Sequence, residues 1–84
     1  MAISIIEQAE CYRLIRHDEK GFAVIECCGN HVYSLDPHHS KCAEDTPEGM
    51  NSVVGEDGWE EEDHARSRFK AFVRGERHWA KTIW

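Results

Sequence analysis

The sequence predicts an α+β domain in which a small antiparallel β-meander of three to four strands is covered by one C-terminal amphipathic helix. Residues 11–35 contain three β-forming runs separated by turn residues. Residues 57–75 carry apolar side chains at helical spacing. The chain has 84 residues, which is enough for a single small domain spanning 1–84.

The three strand-like runs are CYRLIRH (11–17), FAVIECC (22–28) and HVYSL (31–35). Gly29-Asn30 joins the last two, and glycine in the first place is typical of a type II′ hairpin turn. Residues 3–10 fit either a strand or a helix, because apolar alternation competes with a capping-box pattern from Ser4 to Glu7. We favour extended structure there.

The helix at 57–75 should cover this sheet, since a meander this small is unstable alone. Asp57 is expected to cap its first turn with Glu60 as the capping-box partner, and Gly75 is expected to end it. Acidic residues lie near its start and basic residues near its end, which suits the helix dipole. The side chains that share its apolar side are Ala65, Phe69, Phe72 and Val73.

Residues 36–56 form a long connection with both prolines, in which Met50, Val53 and Val54 either enter the core or form a short helical turn. Residues 77–84 alternate apolar and polar side chains and predict a final short strand. A free sheet edge and the terminal Trp84 predict that two copies can pair as a homodimer.

The composition excludes several classes of protein. A net charge of −6 argues against a surface devoted to nucleic acid. There is no run of about 18 apolar residues and no export signal, so we expect a cytoplasmic protein with free thiols and no membrane association. No catalytic constellation is visible, so we expect a non-enzymatic protein.

Acidic residues dominate positions 44–63, where no lysine or arginine occurs. Part of this excess matches a solvated loop and a dipole-matched first turn. The functional interpretation is a negative face that docks on a protein partner with a basic surface. The candidate partner-binding residues are Glu44, Asp45, Glu48, Glu56, Asp57, Glu60, Glu61, Glu62 and Asp63.

Cysteine and histidine residues suggest an alternative, a small zinc-binding module. Cys28 and His31 form one clip, and His39 and Cys42 form a second. Thiolate and imidazole are the ligands that zinc prefers, and four of them close a structural site. The second clip follows the first sooner than in common zinc modules, so the ligand types match while the spacing does not.

A basic stripe on the helix suggests a further alternative, nucleic-acid binding. Arg66, Lys70, Arg74 and the nearby Arg77 follow four-residue steps, and tryptophans lie beyond them. Cations at a helix C-terminus are also favoured by the dipole alone, so direct nucleic-acid binding is the weaker interpretation.

In size and charge the chain resembles the small acidic α+β proteins with which phages and mobile elements block host nucleic-acid machinery, including anti-CRISPR and anti-restriction factors. The resemblance covers composition and no motif. It implies an inhibitor or decoy that acts on a basic nucleic-acid-handling protein.

Overall fold

Five antiparallel strands form one sheet in the computed structural model of the chain, which describes residues 3–35 and 41–75. The strands lie in sequence order, so each pairs with the next. They are β1 (Ile3–Ala9), β2 (Tyr12–His17), β3 (Gly21–Cys28), β4 (His31–Ser34) and β5 (Cys42–Glu44). The helices are α1 (Pro47–Val54) and α2 (Glu62–Val73). The α+β class and the β-meander are confirmed, and residues 3–9 are a strand.

The two helices cover opposite faces of the sheet. Leu14 packs with Phe69 and Phe72 of α2, whereas its neighbour Ile15 packs with Met50 and Val53 of α1. Adjacent residues of a strand point to opposite faces, so the sheet is the middle layer of three. The prediction of one covering helix is therefore wrong. Strands buried on both faces have nearly continuous apolar runs, as in β3, and such runs do not reveal how many helices cover them.

The connection predicted for residues 36–56 contains β5 and α1. Thr46 caps α1, since its hydroxyl accepts a hydrogen bond from the backbone N–H of Gly49 at 2.9 Å. Met50 and Val53 are buried and also lie on a helix, so both predicted alternatives hold for them, and Val54 is half-buried on the same helix. A Cβ at Gly49 would overlap the carbonyl oxygen of Glu44, so this glycine permits α1 to lie close against the end of β5.

Helix α2 begins later than the sequence predicts. The backbone of Glu60 pairs with that of Phe22, with N–O distances of 2.9 and 2.7 Å. This pairing holds Glu60 beside β3, and the helix begins at Glu62, so the capping box with Asp57 is wrong. Gly75 does follow the helix end with φ +85°, as predicted, and its N–H donates to the carbonyl of Phe72 at 3.0 Å.

The apolar side predicted for α2 is largely confirmed, because Ala65, Phe69 and Phe72 are buried. Val73 is half-buried beside them. The two-residue connection from Cys28 to His31 is also confirmed, with Gly29 at φ +61°. The predicted final strand, residues 77–84, lies outside the described residues.

Neither helix of the described part of the chain has the length and apolar character that a membrane span requires.

Candidate functional site

A shallow groove lies between the β2–β3 turn, residues 18–20, and the segment that connects α1 to α2. We call it the turn groove. Its first wall is the turn itself with the end of β2, and its second wall runs from Asp57 to Glu62. The two walls are about 40 residues apart in sequence, so tertiary structure alone brings them together.

His17 holds the first wall. The residue is only 7% exposed, and Nδ1 accepts hydrogen bonds from the backbone N–H groups of Glu19 at 3.0 Å and Lys20 at 3.2 Å. Two donors facing Nδ1 require that nitrogen to be unprotonated. The imidazole therefore serves as an acceptor that fixes the turn.

Trp59 and Glu60 hold the second wall. The indole N–H of Trp59 donates to the carbonyl of Gly55 at 2.9 Å, and the ring meets His17 edge-on at a centroid distance of 5.3 Å. The backbone pair between Glu60 and Phe22 joins this wall to β3. A Cβ at Gly21 would lie 2.7 Å from the carbonyl oxygen of Glu60, so only glycine permits this close approach.

The carboxylate of Glu60 is used within the protein. Its side chain is 11% exposed, and its Oε2 bonds to the guanidinium of Arg68. Its other oxygen, Oε1, lies 2.8 Å from Nδ1 of His64 but accepts no hydrogen bond within the described part of the chain. Arg68 also lies over the ring of Phe72, 5.7 Å from its centroid. Glu60 therefore links the segment between α1 and α2 to α2 itself, and its negative charge is largely neutralised within the protein.

The rim of the groove carries an excess of negative charge. Asp18 pairs with Arg16 at 3.1 Å. Three other rim carboxylates form no ion pair within the described part of the chain, and they are Glu19, Asp57 and Glu61. Lys20, a cation on the same rim, also forms no ion pair within the described part of the chain. Two half-buried aromatic side chains, Phe22 and Trp59, lie between these charges.

The nine acidic residues predicted to bind a partner therefore do not all lie at one place. Asp57, Glu60, Glu61 and Glu62 line the turn groove, whereas the other five members do not. Glu62 bonds to Arg66 at 2.8 Å. The members outside the groove lie in or near β5, in α1, just after α1 and in the first turn of α2: Glu44, Asp45, Glu48, Glu56 and Asp63.

Asp45 has a structural partner. Its two carboxylate oxygens accept hydrogen bonds from Nη1 and Nη2 of Arg13 at 2.8 and 3.3 Å. These hydrogen bonds raise the pKa of Arg13, while burial of the guanidinium opposes that rise. The interaction anchors the β5–α1 junction on β2.

Sequence reasoning did not find His17, Glu19 or Trp59. Glu19 lies in an ordinary turn sequence, and no motif in the sequence marks His17 or Trp59 as part of a site. The rings of His17 and Trp59 are in contact only in the folded protein, so this contact could not be found from the sequence.

The predicted zinc ligands are only partly brought together. Cys28 lies directly opposite His31 at the β3–β4 hairpin, and both are exposed. Cys42 lies opposite Tyr33, so Cys42 is two strands away from Cys28 and on a different cross-strand row. No three His, Cys, Asp or Glu side chains among residues 3–35 and 41–75 are arranged to hold a metal ion. His39 lies outside those ranges.

The predicted basic stripe follows the exposed side of α2. Arg66 already bonds to Glu62 and, at 3.3 Å, to Glu7 of β1. Lys70 and Arg74 are exposed, and Arg77 lies outside the described residues. The pairing of Arg66 lowers the positive charge that this stripe could offer to phosphate groups.

Cys11 is not prepared to act as a nucleophile. Burial, and next the negative charge of Glu26, raise the pKa of the Cys11 thiol above its ordinary value of 9.0. Its Sγ lies 3.8 Å from Oε2 of Glu26. The thiol form is therefore favoured, and the thiolate is the reactive form.

Comparison of the chain with protein-family models, with curated proteins and with solved structures found no match.

Proposed function

We propose that this chain is a small non-enzymatic protein-binding domain that engages a basic protein surface through the turn groove. The observation that carries the proposal is the meeting of Glu19, Asp57 and Glu61 around one groove without an ion pair in the described part of the chain. Intrachain arginines already pair with Glu7, Asp18, Asp45, Glu60 and Glu62, whereas the three rim carboxylates are available to a partner.

The groove combines two kinds of contact. Its carboxylates would attract lysine and arginine side chains and would select partners by charge, chiefly through the association rate. Phe22 and Trp59 would supply apolar area once the partner excludes water, and aromatic side chains of this kind often dominate binding energy. The walls need no rearrangement to bind, because backbone pairing and the His17 hydrogen bonds already hold them.

The basic partner we favour is a nucleic-acid-handling protein, whose own binding surface must be rich in lysine and arginine. Occupation of such a surface by an acidic protein would exclude the nucleic acid. The chain would then act as an inhibitor or decoy in the manner of anti-CRISPR or anti-restriction factors. This part of the proposal rests on net charge and size together with the groove.

The test uses a charge change confined to the groove. The variant carries Glu19→Gln, Asp57→Asn and Glu61→Gln, and the matched control carries Glu10→Gln, Glu44→Gln and Glu48→Gln. Both lose three exposed carboxylates, and neither disturbs the Arg68 or Arg13 interactions. Each protein is immobilised, and binding is measured to an array of lysine- and arginine-containing peptides and to basic proteins captured from host lysate.

We expect the wild type and the control to bind the same basic peptides and proteins, with binding that weakens as salt rises. The groove variant should lose most of that binding. Equal binding by the groove variant and the wild type would refute the groove as the docking surface. Binding that does not change with salt would refute the electrostatic mechanism.

A further inference from the structure

The exposed large apolar side chains of the described residues lie next to each other on one strand. Ile5 is 49% exposed and Ile6 is 36% exposed, and both belong to β1. The strand is an edge of the sheet, since it pairs with β2 on one side only. Single exposed apolar residues need no explanation, but an apolar group on an open strand edge favours pairing with another strand.

The geometry of β1 concentrates this apolar surface on its first half. Ile3 and Ile5 lie opposite His17 and Ile15, so both point to the face that α1 covers. A β-bulge at Ile6 shifts the register before Glu7 and separates the apolar first half from the polar second half.

Charge does not oppose contact between two copies at this place. The first half of β1, residues 3–6, contains no charged side chain. Glu7 already bonds to Arg66 at 3.3 Å. The opposite edge differs, because β5 has three residues and its exposed side chains include Glu44 with Asp45 next in the chain.

We propose that β1 is a self-association surface, on which two copies of this chain pair antiparallel about a two-fold axis at Ser4. Ile3 of each copy then lies opposite Ile5 of the other, and the two Ser4 residues face each other. β-Branched cross-strand pairs of this kind stabilise sheets. The two Glu7 side chains stay about 20 Å apart along the strands, from a rise of about 3.3 Å per residue.

Pairing of β1 with β1 closes after two copies, whereas pairing of β1 with β5 would extend without limit. The contact is short, so we expect a weak dimer that forms and dissociates readily. The surface is separate from the turn groove, and the dimer does not depend on the function proposed above.

The test measures mass by sedimentation equilibrium between micromolar and millimolar protein. Ile5→Lys places a charge next to the two-fold axis, opposite Ile3 of the other copy. Ile5→Thr keeps a β-branched residue and serves if the lysine variant folds poorly. Ser67→Lys is the matched control, because it adds the same charge at an exposed position of α2.

The wild type and Ser67→Lys should approach twice the chain mass as concentration rises, and both Ile5 variants should associate at least tenfold more weakly. A wild type that stays monomeric at every concentration overturns the proposal. Equal association of the wild type and the folded Ile5 variants overturns it as well.

Discussion

Removal of the Asp45 carboxylate should destabilise the fold far more than its place after a three-residue edge strand suggests. The side chain of Arg13 is 8% exposed, and Asp45, at 33% exposed, provides its only ion pair in the described part of the chain. Without Asp45, the hydrogen-bond partners left to the guanidinium among the described residues are Gln8 at 3.2 Å and the sulfur of Met50 at 3.8 Å. A buried cation would then have no compensating charge.

The size of the effect follows from burial. Removal of one partner from a fully buried pair costs about 3–5 kcal/mol. Water reaches the exposed third of Asp45, so we expect about 2–3 kcal/mol for Asp45→Ala. A domain of this size should lose about 10–20 °C in Tm for that cost.

Urea unfolding followed by tryptophan fluorescence measures this loss. Glu44→Ala is the control, because Glu44 is a neighbouring exposed carboxylate and should change stability by less than about 0.5 kcal/mol. Arg13→Met combined with Asp45→Ala should recover most of the loss, since apolar replacement removes the unpaired charge. Equal effects of Asp45→Ala and Glu44→Ala would refute the argument.

Three further predictions test other parts of the fold. Gly49→Ala should lower the free energy of unfolding in urea by at least about 2 kcal/mol, because the alanine Cβ would overlap the Glu44 carbonyl. Alanine normally favours a helix over glycine, so a more stable variant would contradict the close packing of α1 on β5. Glu10→Gly should raise the Tm by the equivalent of about 0.5–1 kcal/mol, since Glu10 has φ +56° and glycine accepts that backbone conformation without strain. Burial, and next the charge of Glu26, raise the pKa of Cys11, so the folded protein favours the thiol form. The contribution of this group to the free energy of unfolding is present below the ordinary value of 9.0 and is lost as pH rises through the folded pKa. Glu26→Gln should therefore speed alkylation of Cys11 by iodoacetamide at mildly alkaline pH, measured by mass spectrometry against Cys28 in the same sample, and an unchanged rate would show that Glu26 does not affect this thiol.

Local patterns in the sequence were sufficient for much of the secondary structure. The central strands, the Gly29 hairpin and the buried side of α2 follow from turn chemistry and apolar spacing, which act over a few residues. The start of α2 could not be predicted in this way, because the pairing of Glu60 with Phe22 overrides the helical tendency of residues 57–61. The second covering helix was predicted only as an alternative, a short helical turn, because proline and glycine near its start are typical of loops as well.

The amino-acid sequence by itself determined the class of fold, the acidic balance and the residues that are able to form the core, because these depend on composition and short-range periodicity. Only tertiary structure decided which carboxylates remain available. It paired Asp45 with Arg13 and Glu60 with Arg68. It also brought Glu19, from a turn distant in sequence, to the rim of the turn groove where Asp57 and Glu61 lie. Distances between charges depend on how the chain returns on itself, and no local pattern in the sequence contains that information.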